Sequence, residues 1–428
     1  MRGRRSSRLM AAVAAASLFP VLVAPAVPAL AAVVATPTIV QATEMPTVGK
    51  AARFRLRVLG DEAATTAFMW QLNTGPWQES AATAGKATVT VVPDRFTNVL
   101  SVYAVGADGS LSDTSTLSFN AEFPPLTADQ DLDSDGRPDL LTPGGTAGLS
   151  EGLWLATGRG ERGKVRVPAV NIGGHGTGLG EDPSGAEPAA AFTGTQIVTG
   201  KFTGGPFEDV FVYHPNGPRA GLSVIIPTLG NGAELRPELS GNGYTLPAGW
   251  LSDWDGNQPT QLTNGYDADG SNPEYPDLFA IMGSPAAEYN LSFYSSYPGI
   301  GNYAFPVVTG ASTPTGGIDW QNWRMASALL PTGTAIVLWN RSTGALYLWK
   351  SVIANPDTGA LTYQQHHLSD NWLPGADLST LQLADVNADG TPDLRTVTGD
   401  GKATAYRITE VPETGTLKIT TGAAQSLA

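Results

Sequence analysis

The sequence contains no cysteine, only four histidines, and few charges: Asp, Glu, Lys and Arg make up 15% of its 428 residues. Without cysteine there is no disulfide, thiol nucleophile or thiolate metal site, so packing and oxygen-ligated metal are the stabilisers left. His175, His214 and the pair His366–His367 form no H-E-x-x-H. Neighbours on a strand face opposite ways, which keeps that pair from chelating one zinc. Basic residues are outnumbered, 25 against 39. Phosphate recognition needs a basic face, so nucleic acid is not expected as a partner. Long apolar runs are missing too: beyond the first 31 residues nothing approaches the roughly 18 apolar positions of a span, and no membrane span is expected.

Those first 31 residues carry Arg2, Arg4, Arg5 and Arg8, then an Ala/Val/Leu-rich run ending in Ala29-Leu30-Ala31. This is the layout of a secretory signal peptide (1–31), and it predicts a secreted, extracellular protein. Losing four Arg leaves 25 − 4 = 21 basic against 39 acidic residues, a net charge of 21 − 39 = −18. An acidic surface suits export and divalent cations. Fifty Gly and 32 Pro predict an all-β chain of short strands joined by tight turns.

Residues 32–125 read as a first domain, with strands over Arg53–Val58, Phe68–Leu72, Thr88–Val92 and Leu100–Val105. The spacing fits a β-sandwich, and Trp70 reads as a core residue. The segments AFMWQLNTGPW and LSVYAVGADGSLSD resemble the bacterial immunoglobulin-like domains of secreted actinobacterial proteins. EFPPLT at 122–127 reads as a stiff linker into a second domain, 126–428.

Residues 131–141 read DLDSDGRPDLL and residues 385–395 read DVNADGTPDLR, a near-copy 385 − 131 = 254 residues later. Divided by four, that interval places further copies about every 63 residues, which is where they are found. TGKFTGGPFEDVFVY keeps Asp209 before an apolar run, and GYDADGSNPEYPDLFA keeps Asp277-Leu278. LLPTGTAIVLWN keeps only the strand, and no acid occurs from Trp320 to Pro356. Hairpins follow the units at LWLATGRGERGKVRV, VLWNRSTGALYLW and LRTVTGDGKATAYRI. A four-stranded unit of this size covers both its faces only when units are set around an axis, so a β-propeller is predicted, with about five blades visible and up to seven possible.

In the two full copies, side-chain oxygens stand at positions 1, 3, 5 and 9: Asp131, Asp133, Asp135 and Asp139, then Asp385, Asn387, Asp389 and Asp393. A Gly at position 6 lets the backbone turn so that the position-7 carbonyl, of Arg137 or Thr391, joins them. This is a hard-oxygen set for Ca²⁺. Lys201 and Gly205 spoil the second copy, whereas Asp267, Asp269 and Asp277 make a weaker third site. An EF-hand needs an acid at position 12, where Thr142 and Thr396 stand. An acid at position 9 followed by Leu instead resembles the FG-GAP, or VCBS, repeats of integrin α-chain propellers. That resemblance covers about residues 126–428 and implies a propeller whose calcium loops join the first two strands of a blade.

No catalytic residue is assigned. GLSEG (148–152) matches G-x-S-x-G, but Gly-rich sequence precedes Ser150 and a strand follows it. Asp253, Asp255 and Glu274 are the acids considered for the alternative of an extracellular glycoside hydrolase, which needs a carboxylate pair in a central pocket. Trp254 and Trp320 lie in connections and are the candidate ligand-contacting residues, since exposed aromatic faces bind sugars. The leading expectation is a non-catalytic, calcium-binding adhesion module for a glycan or an extracellular protein. A purely structural spacer is the third possibility.

Overall fold

The computed structural model describes residues 34–428 apart from 61, 161–162, 181–187, 240–242 and 412–415. The segment read as a signal peptide lies outside the described residues.

Strict alternation in ARFRLR, with Ala52, Phe54 and Leu56 buried and the arginines exposed, makes a strand with one wet face. Seven strands of this kind come first: β1 (Thr38–Gln41), β2 (Ala52–Arg57), β3 (Thr65–Leu72), β4 (Gln78–Ala81), β5 (Lys86–Val91), β6 (Thr97–Gly106) and β7 (Ser115–Asn120). They form two sheets, β1-β2-β5 and β4-β3-β6-β7. Phe54, Leu56, Val89 and Val91 of one sheet meet Phe68, Trp70, Leu100 and Val102 of the other in a single core, a β-sandwich.

The later strands are read differently by water. DVFVY (209–213) and LFAIM within β16 are buried throughout, as strands covered on both faces must be. They are β8 (Leu140–Pro143), β9 (Leu153–Ala156), β10 (Val170–Asn171), β11 (Gln196–Gly200), β12 (Asp209–Tyr213), β13 (Ser223–Ile226), β14 (Tyr244–Leu246), β15 (Pro259–Tyr266), β16 (Asp277–Ser284), β17 (Ala287–Tyr294) and β18 (Val307–Val308). The series continues with β19 (Trp323–Leu330), β20 (Gly333–Asn340), β21 (Leu346–Ala354), β22 (Leu361–Ser369), β23 (Leu378–Ala384), β24 (Asp393–Thr398), β25 (Lys402–Val411), β26 (Thr416–Thr421) and β27 (Gln425–Ser426).

These strands make five antiparallel sheets: β10-β9-β8, β11-β12-β13-β14, β15-β16-β17-β18, β19-β20-β21-β22 and β23-β24-β25-β26, with β27 on β25. Each sheet is a blade. β11 packs on β15, β15 on β19, β19 on β23, β23 on β8 and β8 on β11, so the innermost strand present in each sheet takes part in a closed ring. Five apolar cores fill the five gaps between neighbouring blades. The chain is a five-bladed β-propeller behind a sandwich.

Two features depart from the repeat. In blade 1, β8 corresponds to the second strand of the other blades, and no inner strand precedes it among the described residues. Residues 127–130 take that place. Gln130 donates to the carbonyls of Ser327 (3.2 Å) and Leu383 (2.8 Å) and accepts from Gln382 Nε2 (2.7 Å). Asp129 accepts from the Leu329 N–H (3.0 Å) and the Tyr266 hydroxyl (3.1 Å), while Lys201 donates to the Thr127 carbonyl (3.1 Å). The segment read as a linker therefore ends as a plug across the ring axis.

The second departure is the seam between blades 5 and 1. Buried Arg395 donates to the carbonyls of Gly163 (2.9 Å) and Pro138 (2.8 Å). Gln425 exchanges two side-chain hydrogen bonds with the backbone of Val165, and the Leu427 carbonyl accepts from Ala169 N–H (2.8 Å). Leu427 is fully buried in the seam core with Leu140, Val165 and Val397. The sandwich rests on blade 2 through Val48, Ala121 and Phe207.

Candidate functional site

Inner strands run from one face of the ring to the other, so the connections that leave them share a face. Three of these connections are the acidic loops, and one carboxylate in each opens the following strand. Asp139 Oδ1 accepts from Gly158 N–H (2.8 Å) and its Oδ2 from the N–H groups of Leu132 (2.9 Å) and Asp133 (3.2 Å). Asp277 repeats this with Ser296 (2.8 Å), Ala268 (2.9 Å) and Asp269 (3.3 Å). Asp209, in the loop without other ligands, still holds Thr203 (2.8 Å) and Thr228 (3.3 Å). The position-9 acid is thus first a bracket between loop and hairpin, whether or not a metal is near. Burial pushes Asp139, Asp209, Asp277 and Asp393 up to about 7.

The first and last loops share one conformation. Asp135 N–H donates to Asp131 Oδ1 (3.1 Å) and Asp133 Oδ1 (3.1 Å), and Gly136 N–H to Asp131 Oδ2 (2.9 Å). Asp389 N–H meets Asp385 Oδ1 (3.1 Å) and Asn387 Oδ1 (2.9 Å), and Gly390 N–H meets Asp385 Oδ2 (2.8 Å). Gly136 (φ 84°) and Gly390 (φ 79°) supply the left-handed turn in each.

Carboxylate oxygens of Asp131, Asp133 and Asp139 lie within 4.8 Å of one another, and so do those of Asp267, Asp269 and Asp277. Burial and then the Asp135 and Asp131 charges raise Asp133. Asp385, Asp389 and Asp393 form no third such trio among the described residues. There Asn387 stands where Asp133 does, and Arg407 faces Asp389 at 3.6 Å. Asp393 Oδ2 is left buried without a partner, as is Asn387 Nδ2. Asp135 lies outside the first trio, with the Arg137 guanidinium at 3.4 Å. The third loop runs 277 − 267 = 10 residues against 139 − 131 = 8 in the first, and the two extra residues do not part its acids. The fourth unit has no loop at all: Leu330 pairs with Gly333 in a tight hairpin.

The two tryptophans part company. Trp254 is 86% exposed and its ring lies on Phe305, centroids 4.0 Å apart. Trp250, half exposed, donates to the Gly301 carbonyl beside it (3.0 Å). Trp320 is 2% exposed, set edge-on against Trp349 with its Nε1 on the Ala311 carbonyl (3.1 Å). It packs blades 3 and 4 together, and its candidacy as a ligand platform is corrected.

A cavity of about 620 Å³ runs along the ring axis, ended by Gln130. Its wall is mostly uncharged polar, because inner strands of neighbouring blades do not pair and their backbone groups need side-chain partners. Gln196 grips both N–H and C=O of Leu262, and Gln261 grips Trp323 O (2.7 Å) and Met325 N–H (3.0 Å). The carboxylates on this wall are Asp139, already bracketed, and Asp377. Asp253, Asp255 and Glu274 are not on it. Sequence reasoning missed this site entirely, since its residues are ordinary strand polar residues in the letters.

No family model matches the chain, and no curated protein matches it. Among solved structures it is similar to Hsv2 from Kluyveromyces marxianus, at 10% identity over 90% of this chain and 99% of that one, with a TM-score of 0.24. Hsv2 from Kluyveromyces lactis matches at 8% identity over 91% and 100%, with a TM-score of 0.23. A mutant of NanB sialidase from Streptococcus pneumoniae matches at 9% identity over 92% and 61%, with a TM-score of 0.28. Likeness this slight transfers nothing from those proteins. The ring stands on its own sheets and seams.

Proposed function

We propose that this chain is a secreted, non-catalytic binding module, in which Ca²⁺ braces the propeller loops and an exposed aromatic platform contacts a glycan or an extracellular protein. The observation that carries the binding role is Trp254, a large apolar face almost wholly in water and tilted against Phe305. Such a face costs solubility when idle and fits the flat, C–H-rich side of a sugar ring. Asp253, which accepts from Asn257 Nδ2 (2.9 Å), sets polar groups beside it.

Calcium would be held by Asp131, Asp133, Asp135, the Arg137 carbonyl and Asp139 in the first loop. Asp267, Asp269 and Asp277 would hold it in the third, and Asp385, Asn387, Asp389, the Thr391 carbonyl and Asp393 in the last. Crowded acids and the partnerless Asp393 oxygen support this. In this reading the ion neutralises a turn rather than performing chemistry. The motif favours an FG-GAP/VCBS-type ring, and the sandwich order β1-β2-β5 over β4-β3-β6-β7 favours an immunoglobulin-like domain. The glycosidase reading has less behind it, because the axial wall offers Asp377 and no second free carboxylate among the described residues.

The test is retention of the mature protein on insoluble polysaccharides in calcium and in EDTA, with sugar release assayed in the same tubes. Retention without release, lost in Trp254→Ala, is the expected result. Release of soluble sugar, or equal retention of Trp254→Ala, defeats the proposal.

A further inference from the structure

The axial cavity opens at the face opposite the acidic loops, where the inner strands begin. Arg324, second residue of β19, lies in its wall with Arg341, Asp377 and Thr146. One Arg324 nitrogen is bound to the Leu378 carbonyl, which leaves most of its N–H fork unused. No carboxylate lies within 4.0 Å of either guanidinium among the described residues. In a chain with 39 acids to 25 bases, two arginines without a salt bridge on one cavity wall are unexpected. Burial, then the Arg341 charge, lowers Arg324, and the Asp377 charge offsets this only in part, so the two guanidiniums repel each other. Thr146 Oγ1 is buried on the same wall with no partner.

We infer that this cup binds a carboxylate-bearing sugar, a uronic acid, with the carboxylate between Arg324 and Arg341 and hydroxyls toward Thr146 and the polar wall. Guanidinium forks match carboxylate geometry. Asp377 nearby limits the positive charge and so favours a monoanion over phosphate. A cavity of about 620 Å³ lies in the range of small-ligand sites. Because Gln130 and Asp129 plug the far end, the ligand enters as a single residue or as the end of a chain, never threaded through.

Calorimetric titration of the full chain in calcium buffer tests this, with galacturonate, glucuronate, digalacturonate, galactose, acetate and inorganic phosphate as probes. A uronate should bind at least ten-fold more tightly than galactose, acetate or phosphate. Binding of the monosaccharide identifies a free sugar acid as ligand; binding of the disaccharide alone identifies a chain end. Arg341→Gln, at an exposed position whose side chain has no ion pair among the described residues, should weaken uronate at least ten-fold while leaving the thermal midpoint unmoved. Arg324→Gln should do the same, checked for folding because it also clasps Leu378. Trp254→Ala should leave uronate binding unchanged, which separates this site from the platform. Absence of binding by every uronate, equal binding of galactose, acetate or phosphate, or an unaffected Arg341→Gln variant overturns the inference.

Discussion

At the scale of single residues, the position-9 aspartates do two jobs that the loops allow to be separated. Asp209 brackets a loop that has lost the acids at positions 1, 3 and 5 and whose other acid, Glu208, is paired with Lys201 at 2.7 Å, so it reports the bracket alone. Its carboxyl is held near 7 against an unfolded value of about 3.9. The folded state therefore keeps a proton that the unfolded state releases, and the contribution to stability falls as pH rises from about 4 to 7. Asp209→Asn should be less stable than the parent at pH 5, and the gap should narrow by pH 8 in urea titrations run in EDTA. A gap that widens with pH would contradict the shift. Asp131→Ala and Asp267→Ala should each lower bound calcium by about one ion in equilibrium dialysis, and Asp209→Asn by none. Equal stoichiometry in all three would remove the metal assignment.

At the scale of strands and loops, the blade boundaries combine an apolar core with side-chain clasps on backbone groups near the axis, amides from Gln196 and Gln261 and a guanidinium from Arg324. Gln261→Ala strips partners from Trp323 O and Met325 N–H and should cost about 2 kcal/mol in urea unfolding, from buried groups left unmade. The hydroxyls of Thr263 and Ser327 bond each other further along the same boundary, at 2.7 Å. Thr263→Val with Ser327→Ala should therefore be nearer neutral than either change alone, a non-additivity readable in a double-mutant cycle. The strands themselves were legible: alternation found β2 and β6, and the paired DG motifs found the loops before β8 and β24. What fills the axis was not. Gln196, Gln261 and Arg324 act on backbone atoms 54 to 66 residues away, and no local period marks such a partner. Trp320 was misread for a related reason, since a connection that looks exposed in sequence tucks its ring between two blades. Trp254, 254 − 246 = 8 residues into the connection after β14, stays outside.

At the scale of the whole molecule, the count of five blades was visible in the spacing, because erosion of a loop spares the strand that follows it. The closure was invisible. Blade 1 has no inner strand in the letters or in space, and a glutamine and an aspartate after a proline-rich segment do its work. The seam to blade 5 is made by one buried arginine and the residues around Leu427. Leu427→Ala should cost about 2 to 4 kcal/mol, as a fully buried large-to-small change does. Arg395→Ala should cost about as much, since it leaves the Pro138 and Gly163 carbonyls without a donor. Thermal unfolding measured by near-ultraviolet dichroism checks both, and a midpoint within a degree of the parent for either would refute the seam as described.

The position of that seam has a consequence for how the protein is made. Blades 1 to 4 can form in order as the chain emerges, yet the bonds from Gln425 and Leu427 to blade 1 reach back about 260 residues. Until those residues are free to turn inward, the nascent protein is an open crescent with two raw blade flanks. A stalled ribosome or a nick near residue 420 would leave the crescent in place, sticky and readily digested. Gln425 and Leu427 are the latch of the ring.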